Sequence, residues 1–111
     1  MSEVIYASAD NVQELLSNNQ NVVLYFWAEY CQPCKRLAPL IEDMAEEHLN
    51  TKFVKIDIEE NLSVVPEFKL KSIPTLLFYR DGNQVGSLVG AQIRKSIENK
   101  LQESFPATDA S

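Results

Sequence analysis

The chain has few of the residues and segments that mark several classes of protein. Its 111 residues include two cysteines and one histidine, too few ligands for a structural zinc site, which takes four. The lysines and arginines form no block, and the formal charge of -6 argues against binding nucleic acid or an anionic membrane through bulk electrostatics. No apolar run is long enough to cross a membrane. We therefore expect no metal, nucleic acid or membrane partner.

The beginning of the chain and its cysteine content both bear on where the protein works. Residues 1–4 lack the charged and apolar regions of a secretory signal peptide, which predicts a cytoplasmic location. Cys31 and Cys34 close too small a loop to stabilise a fold, so in a reducing compartment a catalytic or metal-binding role is favoured over a structural one. The length predicts a single domain over residues 1–111, with a flexible C-terminal tail from about residue 104.

The hydrophobic pattern predicts strands and helices in the order β, α, β, α, β, α, β, β, α. The clearest strand is the continuous apolar run 22–27, and a helix kinked at Pro39 follows it from about Pro33. The other strands are predicted at 4–6, 51–58, 73–80 and 84–89. The other helices are predicted at 11–17, with Asp10 as N-cap, at 61–68, and in the segment where Ile93, Ile97 and Leu101 recur four residues apart. The fold class is therefore α/β, with one mixed central sheet flanked by helices on both faces.

The two cysteines lie where the buried strand gives way to a helix. On the first helical turn, Cys31 and Cys34 share one face and come within reach of a disulfide. The N–H groups and dipole at a helix N-terminus favour a thiolate. Position therefore predicts Cys31, at the helix end, as the attacking thiolate and Cys34, one turn inside, as the resolving thiol. The alternative of two incidental buried cysteines fits this placement less well.

The segment from Trp27 to Lys35 resembles the active-site motif of the thioredoxin family. It reads Trp-Ala-Glu-Tyr-Cys-Gln-Pro-Cys-Lys, where the family usually has Trp-Ala-Glu/Pro/Thr-Trp-Cys-Gly-Pro-Cys-Lys. Further matches lie downstream, at Pro39, at 53–57, at Ile73-Pro74-Thr75, at Gly82 and at Val89-Gly90-Ala91. The resemblance spans about residues 4 to 103. It implies the thioredoxin fold and a redox-active disulfide between Cys31 and Cys34.

The resemblance also implies a second half of the site, around Pro74. The Ile73–Pro74 peptide bond would be cis and would pack beside the disulfide, whereas the sequence pattern alone favours an ordinary proline at the start of a strand. The Ile73 backbone would then pair with an extended partner peptide. A small apolar docking surface for substrate proteins would surround Cys31, formed by Tyr30, Pro33, Ile73, Pro74, Val89, Gly90 and Ala91.

Two positions depart from the family pattern and bear on how the site is tuned. Family members commonly carry a buried aspartate, thought to take a proton from the resolving thiol, where this chain has Tyr25. A phenol, with an unperturbed pKa of about 10, is a poor base at neutral pH, so we expect deprotonation of Cys34 to use water, the departing Cys31 sulfur or a charge such as Lys55. Gln32 replaces the usual glycine, and it tunes the reduction potential together with Pro33.

These features predict a thioredoxin-type thiol–disulfide oxidoreductase that reduces protein disulfides. The resemblance implies that the chain binds no cofactor and is regenerated by a thioredoxin reductase that draws on NADPH. It also implies that the substrates are disulfide-containing proteins and that the protein is a monomer. Two alternatives stay open. One is a more oxidising disulfide donor or isomerase of the same fold, and the other is a non-catalytic binding module that uses the surface around Ile73 and Pro74.

Overall fold

The computed structural model describes residues 3–106, in which five strands and four helices follow one another in the predicted order. The strands are β1 (Ile5–Ala7), β2 (Asn21–Trp27), β3 (Lys52–Asp57), β4 (Thr75–Arg80) and β5 (Asn83–Val89). The helices are α1 (Val12–Asn18), α2 (Gln32–Glu47), α3 (Val64–Glu67) and α4 (Arg94–Ser104).

The five strands form one mixed sheet in the order β1-β3-β2-β4-β5. Strands β1 and β2 both run parallel to β3, whereas β4 is antiparallel to β2 and β5 is antiparallel to β4. Strand β2 is central and buried on both faces, as its continuous apolar run predicts. The chain that leaves β2 therefore emerges from the middle of the sheet.

Alternate side chains of β2 enter two separate cores. Val23 and Tyr25 pack with residues of α2 and α4, whereas Val22, Leu24 and Phe26 pack with residues of α1 and α3. The sheet therefore carries helices on both faces, and the predicted fold class is confirmed.

Helices α1 and α3 begin later than the sequence pattern suggests. Helix α1 has Asn11 as its N-cap, not Asp10, because Asn11 bonds to Ser8 in the preceding turn: Asn11 Oδ1 accepts from the Ser8 N–H at 2.8 Å. Helix α3 occupies only Val64–Glu67 of the predicted 61–68. Pro66 fits in it because the first-turn N–H groups of a helix have no helical acceptor.

The end of α4 is part of the core, although the expected tail included it. Ser104 is the last helical residue and is buried, and the ring of Phe105 lies 6.2 Å from that of Phe78 between centroids. Partial burial of this aromatic ring against the core holds the end of α4 on the sheet. The rest of the predicted tail, residues 107–111, lies outside the described residues.

Strand β5 lies close to helix α4 at Gly86. A Cβ atom on Gly86 would lie 2.7 Å from Ser104 Oγ and 3.1 Å from Lys100 Cδ. The Ser104 hydroxyl is buried, and within residues 3–106 it has no hydrogen-bond partner. A side chain at this position would therefore require the Ser104 hydroxyl and the Lys100 side chain to move.

We expect Gly86→Ala to lower the free energy of unfolding by about 1–3 kcal/mol, because an added methyl group overpacks this contact. Ser104→Ala removes both the clashing oxygen and an unsatisfied buried hydroxyl, so it should be neutral or stabilising and should restore most of the loss in the double variant. Urea unfolding of the two single variants and the double variant measures this coupling. If the changes in free energy of unfolding of the two single variants simply add up in the double variant, residues 86 and 104 are not in contact.

Candidate active site

Cys31 and Cys34 are joined as a disulfide at the N-terminus of α2. Their Cα atoms lie 5.2 Å apart, within the usual range for a disulfide. Cys31 is the N-cap with an extended backbone, and α2 begins at Gln32 with Pro33 in its first turn. Proline is favoured there because the N–H it lacks would have no helical acceptor. The predicted position of the pair, between a buried strand and a helix, is confirmed.

The two sulfurs have different surroundings. Cys31 is 7% exposed, whereas Cys34 is completely buried. The backbone N–H of Cys34 donates a hydrogen bond to Cys31 Sγ at 3.2 Å. A donor at a helix N-terminus, directed at a sulfur, favours the thiolate over the thiol. The geometry can therefore stabilise a negative charge on Cys31 once the disulfide is reduced.

A turn before β4 lies beside the core that contains both cysteines. The Ile73–Pro74 peptide bond is cis, as the resemblance implied. Pro74 is buried, and the half-buried Ile73 packs against the cluster that includes Cys31 and Cys34. The Gly90 N–H donates to the Pro74 carbonyl at 2.8 Å, so the loop after β5 is attached to the same turn.

The remaining residues of the expected docking surface differ in exposure. Tyr30 and Val89 are 66% and 57% exposed, Ala91 is also exposed, and Pro33 and Gly90 are half-buried. Gln32, which lies between the cysteines, is exposed to solvent. The side chains of these residues carry no charge, so an extended partner that docks on them would meet an uncharged patch.

Sequence reasoning missed two residues of the loop between β5 and α4. The Gln92 side-chain amide donates to the carbonyls of Val89 and Gly90, at 3.1 and 3.3 Å, and so holds the loop in place. Ile93 was expected on the buried stripe of α4, but it is the N-cap and is 70% exposed. The four-residue spacing to Ile97 could not reveal this, because the helix begins one residue later.

Tyr25 lies on β2 and faces α2. It is 1% exposed, and its hydroxyl donates a hydrogen bond to the Cys34 carbonyl. Burial raises the pKa of Tyr25 to about 12, so the phenol stays protonated at neutral pH. As the sequence predicts, the Tyr25 phenol is therefore a poor base at neutral pH. The hydrogen bond itself was not foreseen, since a strand pattern does not indicate which atom of the facing helix a side chain meets.

Lys55 lies on β3 in register with Tyr25. Its Nζ is 4.4 Å from the ring centroid of Trp27, 5.1 Å from that of Tyr6 and 5.8 Å from that of Tyr25. These distances are typical of cation–π contacts. Within the described residues, no carboxylate lies within 4.0 Å of this ammonium. Aromatic rings, and not a counter-ion, therefore surround this largely buried cation.

Residues 3–106 contain no group of three or more His, Cys, Asp or Glu side chains arranged to hold a metal ion. In the same part of the chain, no helix has the length and apolar content needed to cross a membrane.

Residues 3–103 match the sequence model of the family described as Thioredoxin. The chain is 36% identical to "Thioredoxin 1" of Synechococcus elongatus over 92 residues, which covers 82% of this chain and 86% of that protein. It is 35% identical to "Thioredoxin" of Buchnera aphidicola over 107 residues, which covers 95% and 99%.

Solved thioredoxin structures are also similar to this chain. A Plasmodium falciparum thioredoxin superposes with a TM-score of 0.82 at 31% identity, covering 86% of this chain and 94% of that one. A mutant thioredoxin of Halobacterium salinarum gives a TM-score of 0.84 at 29% identity, covering 92% and 91%. With its Cys31–Cys34 disulfide, this chain belongs to the thioredoxin family and is a thiol–disulfide oxidoreductase that reduces protein disulfides.

Proposed function

We propose that Cys31 is the nucleophile and Cys34 the resolving thiol. The observation that carries this assignment is the hydrogen bond from the Cys34 N–H to Cys31 Sγ, at the more exposed of the two sulfurs. A thiolate is the attacking species in disulfide exchange, and this donor favours the thiolate. Cys34 is enclosed, so it reacts after Cys31 has bound the substrate covalently.

The proposed reaction has two exchanges. The Cys31 thiolate attacks a substrate disulfide, which breaks the substrate S–S bond, forms a mixed disulfide and releases one substrate sulfur. Cys34 then attacks Cys31 Sγ, which forms the Cys31–Cys34 bond and releases the second substrate sulfur. Two electrons pass from the dithiol to the substrate, and the two released sulfurs take up protons.

The surface around Cys31 is the proposed docking site for substrate proteins. Its members are Tyr30, Pro33, Ile73, Pro74, Val89, Gly90 and Ala91. Support comes from the exposed apolar area of Tyr30 and Val89, from the packing of Ile73 against the cysteine core, and from the hydrogen bond that attaches Gly90 to Pro74. Aromatic and aliphatic anchors of this kind suit transient protein contacts.

Four residues are proposed to tune the potential of the disulfide. Gln32 and Pro33 lie between the cysteines and influence the stability of the thiolate relative to the disulfide. Tyr25 contacts the Cys34 peptide, and Lys55 supplies a positive charge against the Tyr25 ring.

The oxidised protein must be reduced again before each turnover. We propose a thioredoxin reductase as the electron source, with NADPH bound to that enzyme and not to this chain, in line with the family. We also propose that the protein acts as a monomer, as one domain, in the cytoplasm. A reducing compartment fits a dithiol that donates electrons.

Insulin reduction with dithiothreitol as reductant tests the cysteine roles. We expect Cys31→Ser to reduce turnover to background, because no accessible nucleophile remains. Cys34→Ser should also stop turnover, and the pre-reduced variant mixed with insulin in the absence of dithiothreitol should accumulate a mixed disulfide with substrate at Cys31, visible by mass spectrometry after acid quenching. Unchanged turnover in either variant would contradict the mechanism, and a trapped adduct at Cys34 in Cys31→Ser would reverse the roles.

Two valines on β5 provide a matched test of the docking surface. Val89 is 57% exposed and pairs with Thr75 beside Pro74, whereas Val85 is 47% exposed and lies about 13 Å away along the strand. We expect Val89→Asp to raise KM for a protein substrate about tenfold, because it places a charge in an apolar interface. Val85→Asp should leave KM unchanged, and kcat should equal the wild-type value in both variants. An equal rise in KM for the two variants would exclude Val89 from the docking site.

A further inference from the structure

Tyr25 contacts two functional groups of the site at once. Its hydroxyl donates to the Cys34 carbonyl, and the Lys55 ammonium lies 5.8 Å from its ring centroid. The residues in register with Tyr25 are Lys55 on β3 and Leu76 on β4. Of these two sheet neighbours, the charged one is a cation. The side chain joins the central strand directly to the peptide of one reactive cysteine.

The Cys34 carbonyl lies where the hydrogen-bond ladder of α2 is weakened. Pro39 is inside the helix and has no N–H, so the carbonyl of Lys35, four residues earlier, receives no helical hydrogen bond from it. The Tyr25 hydroxyl adds a donor at the adjacent carbonyl, from outside the helix. This bond attaches the first turn of α2 to β2 at the point where the helix has lost one of its own bonds.

We propose that Tyr25 is a positioning residue for the resolving step, holding the Cys34 backbone on β2 so that its sulfur can reach Cys31. The proposal rests on the proposed role of Cys34 as resolving thiol. In that step the Cys34 thiolate attacks Cys31 Sγ of the mixed disulfide, the Cys31–Cys34 bond forms, and the substrate sulfur leaves as a thiolate that takes a proton from water. The Cys34 proton has passed to water beforehand, and Tyr25 keeps its own.

A phenol is suited to this task because it does not ionise while the protein works. Burial raises the pKa of Tyr25 to about 12, so its hydroxyl donates at every pH at which a thiol titrates. A carboxylate at this position would accept hydrogen bonds and would repel the carbonyl oxygen. Holding the backbone matters because a misplacement of about 1 Å between reacting groups can cost a rate factor of about 100.

Tyr25→Phe removes the hydroxyl and keeps the ring. We expect it to slow resolution of a mixed disulfide about tenfold, while the rate of Cys31 attack changes less than about twofold. Single-turnover quench-flow gives both rates, the second in a Cys34→Ser background. Tyr79→Phe is the matched control, because Tyr79 is half-buried in the other core and its pKa is also raised by burial. It should change neither rate.

The ratio of the Tyr25→Phe rate to the wild-type rate should stay constant from about pH 6 to 9, since the phenol does not titrate there. Three results would overturn the proposal: an unchanged rate of resolution, an equal slowing of attack and resolution, or a ratio that changes with pH, which would give Tyr25 a proton-transfer role. Failure of Cys34→Ser to accumulate a mixed disulfide would instead reject the role of Cys34 itself.

A second measurement keeps Tyr25 intact. In the Cys34→Ser protein bound to a substrate peptide as a mixed disulfide, NMR should detect a Tyr25 hydroxyl proton protected from exchange with water, since residue 34 still offers its carbonyl. A Tyr25 hydroxyl that exchanges as fast as that of the exposed Tyr30 would overturn the proposal, whether or not Tyr25→Phe folds.

Discussion

The hydrogen bond from the Cys34 N–H to Cys31 Sγ depends on where β2 ends and α2 begins. Both cysteines must lie within the first helical turn, and that turn must stay fixed while the disulfide opens and closes. The two-sided burial of β2 and the packing of Leu37 and Ile41 against the sheet fix it. A redox-active pair three residues apart can then exchange electrons with little movement of the fold.

The periodicity of the sequence predicted most of this framework, because its elements follow from burial. Strand β2 is apolar without interruption, and the alternation of Val23 and Tyr25 with Leu24 and Phe26 gives two cores directly. The position of Cys31 at the end of a helix follows from the same boundary. The cis bond before Pro74 did not follow from the pattern, and only the family resemblance indicated it.

The details that sequence reasoning missed are contacts between atoms far apart in the chain. Ser104 meets Gly86 because α4 crosses β5 at that residue, and no spacing within α4 encodes the crossing. The end of the helical pattern predicts a tail at Phe105, yet its ring packs against that of Phe78. Gln92 is an ordinary polar loop residue until the loop folds back and offers it two carbonyls.

Tyr25 changes the electrostatics of the core as well as its hydrogen bonds. A buried carboxylate would have had to be desolvated, and it would have neutralised the cation of Lys55. With a neutral phenol in its place, the ammonium is surrounded by the rings of Trp27, Tyr6 and Tyr25, whose faces attract a cation without cancelling its charge. The core thus has a neutral hydrogen-bond donor at residue 25, and within the described residues no carboxylate lies within 4.0 Å of the ammonium beside it.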